Sequence, residues 1–149
     1  MLFTLPAQTK HYLGEQYGGG IVFMLSRDSA HGVIAEIIDQ GICSYISASN
    51  IASKGLHSAE GNKYNDWRLP TRDELDQLYK HREIIGGFTY QMYWSSTLLK
   101  RSKGYPSGYR DDTYGDIYCI SFSPNGYDSF RDWAIGYNDI NYVRAVRTF

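Results

Sequence analysis

Within Trp67-Arg68-Leu69-Pro70-Thr71-Arg72-Asp73-Glu74-Leu75, Thr71 and Glu74 stand at the spacing of a capping box. The Thr71 hydroxyl can accept from the Glu74 amide while the Glu74 carboxylate reaches back to the Thr71 amide, so a helix must begin at this point. Leu75, Leu78 and Tyr79 recur on one side of it. Asp73 and Glu74 suit its positive end, Lys80, His81 and Arg82 its negative end, and Gly86-Gly87 closes it. Around this helix the remaining signals are short and β-prone, so the chain is expected to be α+β.

Gly18-Gly19-Gly20 introduces Ile21-Val22-Phe23-Met24-Leu25, a strand expected to be buried on both faces. After a turn over Ser26–Ala30, His31-Gly32-Val33-Ile34-Ala35-Glu36-Ile37-Ile38 reads as its hairpin partner. Ser47 to Asn65 shows no sustained period and reads as loop with one short helix. Tyr93–Thr97, Ile117–Phe122 and Ser129–Ile135 read as strands, and Ser123-Pro124-Asn125-Gly126 as a turn. Tyr142–Arg147 is expected to form one last strand, with Val143 and Ala145 set against Arg144 and Val146. No linker or repeat divides residues 1–149, so one domain is expected, with 1–12 as a lead-in.

The net charge of -1 provides no field to attract nucleic acid or an anionic membrane. No apolar run approaches the ~20 residues that span a bilayer, so membrane insertion is not expected. Met1–Pro6 lacks the form of a signal peptide. An extracellular, cell-surface or virion location would then need a removed leader or another route. Cys43 and Cys119 permit at most one bridge. Two small buried thiols is the simpler reading and a disulfide the alternative.

Aromatic residues reach 15%, mainly through fourteen tyrosines, while mean hydropathy is only -0.44. The tyrosines crowd into residues 103–142, among Gly, Ser, Asp and Asn. This is the composition of antibody loops, where rigid amphipathic rings supply contact area and small polar residues adaptable hydrogen bonds. The candidate ligand-binding residues are Tyr105, Tyr109, Arg110, Asp111, Tyr114, Tyr127, Asp128, Ser129, Arg131, Asp132, Trp133, Tyr137, Asn138, Asp139 and Asn141. Arg and Trp join Tyr as the residues most enriched at binding hot spots. Six Asp against two Arg and one Lys leave the segment locally acidic. Tyr118 and Phe122 share a strand face with Ile120 and are assigned to packing.

Chemistry is not signalled. His11, His31, His57 and His81 are far apart in sequence and read as turn or surface residues. Asp111 and Asp116 lack the spacing of a calcium loop, and no nucleophile motif or phosphate loop is present. No cofactor or metal is expected, and the chain reads as a binding module rather than an enzyme.

The succession Gly18–Phe23, His31–Ala35, Trp67–Thr71 with Glu74-Leu75, Tyr93–Thr97 and Val143–Arg147 resembles the bacterial Lcl C-terminal domain family, which ends certain collagen-like adhesins. That resemblance implies a C-type lectin-like fold related to the formylglycine-generating enzymes. Such a fold has small antiparallel sheets with paired terminal strands, one or two helices, and a long irregular ligand-binding loop region. It also implies adhesion or receptor recognition of a protein or glycan on a cell surface. A cysteine common in the last-strand motif of relatives is replaced here by Ala145, and the Glu-Pro-Asn or Gln-Pro-Asp triplet of calcium-dependent lectins is missing. Residues 105–141 are similar in composition to segments diversified by retroelements in some proteins of this fold, including phage proteins. A structural or oligomerisation domain and a formylglycine-generating type of enzyme are the alternatives.

Overall fold

The computed structural model describes residues 7–99, 116–124 and 139–149. The predicted strand Ser129–Ile135 lies outside these residues, as does the second half of the Ser123–Gly126 turn. In chain order the elements are β1 (Gln16–Tyr17), β2 (Gly20–Leu25), β3 (Gly32–Ala35), β4 (Gly41–Ser44), α1 (Tyr45–Lys54), α2 (Arg72–Lys80), α3 (Arg82–Ile85), β5 (Met92–Leu99), β6 (Asp116–Ser121), β7 (Ile140–Val143) and β8 (Val146–Thr148). They form an α+β structure with two four-stranded sheets, ordered β1-β2-β3-β8 and β4-β7-β5-β6.

The first sheet contains the expected hairpin, with Ile21 opposite Ala35 and Leu25 opposite Gly32. A Cβ on Gly20 would lie 2.0 Å from the Ala35 carbonyl oxygen, so only glycine allows the strands to close here. Ile21, Val22 and Phe23 are buried, whereas Met24 and Leu25 are half-buried. The terminal strands do not pair. β8 runs along β3, at the opposite edge of the sheet from β1, and the two ends meet through the Tyr17 and Phe149 rings at 5.1 Å and through Arg147, which donates to the Gly18 carbonyl at 2.9 Å.

The capping box forms as its spacing requires: the Glu74 amide donates to the Thr71 hydroxyl and the Thr71 amide to the Glu74 carboxylate. Arg68 adds a two-pronged ion pair to Glu74, at 2.7 and 2.8 Å. Burial raises the Glu74 pKa, but the Arg68 and Thr71 hydrogen bonds outweigh it and the net shift is downward. A depressed folded pKa means stability that is present above the unfolded value of about 4.3 and lost as pH falls through the folded one. Thr71→Ala should cost about 1 kcal/mol at pH 7, and Glu74→Gln should flatten the acid side of a stability-versus-pH curve measured by urea denaturation. An unchanged acid limb would show that this carboxylate is not linked to folding.

Two sequence expectations are corrected. The helix after Thr71 does not run unbroken to Gly86. It stops at Lys80, and a separate turn, Arg82–Ile85, ends where Gly86 and Gly87 adopt φ of 78° and 71°. Ser47–Asn65 holds the one short helix expected, α1 over Tyr45–Lys54, which buries Ala48 and Ala52, and adds a 3-10 turn at Gly61–Lys63. Finally, Tyr142–Arg147 is not one strand. At Arg144-Ala145 the chain leaves β7 in one sheet and joins β8 in the other, so Val143, Arg144, Ala145 and Val146 are all buried and the expected alternation fails. The corner is held by Gln40, whose side-chain oxygen accepts from the Ala145 amide, and by the Glu36 amide donating to the Ala145 carbonyl.

Cys43 on β4 and Cys119 on β6 are free thiols, with β7 and β5 between their strands. Strand spacing near 4.8 Å puts them about 14 Å apart, twice what a disulfide reaches. Thiol titration of the unfolded chain should count two free cysteines, and reductant should leave the melting temperature unchanged.

Candidate functional site

The expected site falls largely outside the described residues. Tyr105, Tyr109, Arg110, Asp111, Tyr114, Tyr127, Asp128, Ser129, Arg131, Asp132, Trp133, Tyr137 and Asn138 all lie there. Asp139 and Asn141 are described. Asp139 is exposed at the entry to β7. Asn141 is buried at 7% exposure, and its Nδ2 has no hydrogen-bond partner among the described residues. Tyr142 packs inward, its ring 5.6 Å from that of Tyr93.

The anchors of the two tyrosine-rich stretches are well defined. Residues 100–115 connect Leu99 to Asp116, which are partners across β5 and β6. Residues 125–138 connect Pro124 to Asp139, beside the pairing of Ile140 with Ser44. Between these points Tyr93, Trp94, Ser95, Ile117, Tyr118, Cys119, Ile120 and Phe122 are nearly inaccessible to solvent. Tyr118 and Phe122 pack as expected. Tyr118 donates to Asp76 at 2.9 Å, and burial, reinforced by Asp76, pushes its phenol up to about 12. Burial likewise raises the Cys119 thiol to about 12, with the nearby Asp139 charge adding to it, so this cysteine is not a nucleophile at neutral pH.

Two polar clusters that the sequence did not announce lie inside the fold. Glu36, fully buried, accepts from the Ile37 amide at 2.9 Å, the Ser58 amide at 3.1 Å and His57 Nδ1 at 3.0 Å. The His57 ring stacks on Trp67 at 5.5 Å, and Trp67 in turn donates to the Gly61 carbonyl. His57 is therefore a buried residue, contrary to the surface position expected, and so is His11, which bonds Glu15 at 2.9 Å. The second cluster centres on Arg144. Its guanidinium pairs with Asp39 at 2.8 Å, donates to the carbonyls of Glu36, Gly86 and Gly87, and lies 3.9 Å over the Phe88 ring. Tyr93 donates to the other Asp39 oxygen. With side chains at 5%, 0% and 0% exposure, His57, Glu36 and Arg144 are closed to a substrate and act by joining segments. Only long-range pairing makes these residues recognisable, and single-sequence spacing carries no trace of it. Among the described residues, no group of three or more His, Cys, Asp or Glu is placed to hold a metal ion.

Above the Arg144 cluster a cleft of about 250 Å³ opens to solvent. Arg82, Glu83, Phe88, Tyr90, Phe122 and Pro124 and the backbone of Gly86 and Gly87 line it. Pro124 is the last described residue before the tyrosine-rich stretch 125–138, so the cleft adjoins one root of the expected binding segment. No protein-family model matches the chain, and no curated protein matches it either. Its functional reading therefore rests on its own residues.

Proposed function

We propose that this chain is a ligand-recognition domain on a C-type lectin-like scaffold, serving adhesion or receptor recognition of a protein or glycan at a cell surface or on a virion. The observation that carries the proposal is the contrast between the anchors and the segments they hold. β6 buries Ile117, Tyr118, Cys119 and Ile120, and the neighbouring β5 and β7 bury Tyr93, Trp94, Ser95, Asn141 and Val143, while the stretches have the Tyr, Asp, Asn, Ser and Gly composition of contact loops. Rigid anchors let loop residues vary without cost to the core, the usual division between scaffold and binding loops. The likeness of five sequence blocks to the Lcl C-terminal domain family, and of residues 105–141 to retroelement-diversified segments, points the same way. No helix among the described residues is long and apolar enough to cross a membrane.

The test is a screen of the intact chain against surface proteins and glycans, repeated with Tyr109, Tyr127 and Tyr137 replaced together by Ala. The variant should bind the captured ligand at least about tenfold more weakly while melting within a few degrees of the parent. Undiminished binding, or a variant that no longer folds, would reject the assignment. A second reading, self-association, is favoured by Ile42, Ile46 and Ile140, which are 55%, 66% and 65% exposed. A mass that rises with concentration in solution would support it.

A further inference from the structure

We draw no further inference here: the strongest candidate, the exposed apolar patch that Ile42 on the edge strand β4 and Ile140 on β7 form beside the start of α1, is an unpartnered sheet face, and nothing in the structure shows what covers it.

Discussion

Arg144→Leu is expected to destabilise the chain by about 3–5 kcal/mol, lowering its melting temperature by roughly 10 °C. The substitution is nearly neutral in volume, so the loss comes from the groups left behind. Asp39 keeps a charge only 16% exposed with its main counter-ion gone, and the carbonyls of Glu36, Gly86 and Gly87 lose their donor. Breaking one side of a buried ion pair is costly because the remaining charge was desolvated on the strength of its partner. Lysine should not rescue the fold, since a single ammonium cannot reproduce a fork that reaches one carboxylate and three carbonyls in different directions. Urea denaturation of both variants settles the point, and a loss below about 1 kcal/mol for Arg144→Leu would mean that the network contributes little.

The second large effect is expected at Glu36. Its carboxylate is inaccessible and satisfies two backbone amides and the imidazole of His57, tying the stretch from His57 to Lys63 against the end of β3. Gly61 approaches so closely that a Cβ there would lie 2.0 Å from a Glu36 oxygen. Glu36→Ala leaves at least three polar hydrogens without acceptors in a dry site, each costing about 1–3 kcal/mol, less whatever water can enter the space left. A net loss of about 3 kcal/mol is expected, with amide exchange accelerated first across residues 57–63. Should exchange there stay at parent rates, Glu36 would not be what secures this segment.

Some elements were legible because their signals are local. The Thr71 and Glu74 box needs only four residues, and the hairpin of β2 and β3 needs only apolar runs with turn residues between them. α1 was expected only as an unplaced short helix, for the opposite reason. Ser47, Ser49, Asn50 and Ser53 are mediocre helix formers, and its buried face is only Ala48 and Ala52, so neither propensity nor amphipathic contrast marked it. The final strand misled because Arg144 looked like an outward residue. A guanidinium is buried only when enough acceptors converge on it, and those acceptors come from residues 39, 36, 86 and 87. The histidines misled similarly, since His57 acquires its burial from Glu36 and Trp67.

From the candidate site, composition located the tyrosine-rich stretches, and the pattern of β5 and β6 assigned Tyr118 and Phe122 to packing. The neighbouring cleft was not readable, because its walls come from α3, the turn after it and the end of β6.

By itself, then, the sequence determined the helix start at Thr71, the β2–β3 hairpin and the α+β character, all of which depend on residues close together in the chain. Only the tertiary structure decided that the chain switches sheets at Arg144-Ala145, that the two cysteines stand too far apart to bridge, that His57 and Glu36 are core, and that a ring-lined cleft adjoins Pro124. These depend on contacts such as Arg144 with Asp39, 105 residues apart, and the free energy of such a contact has no local signature to read.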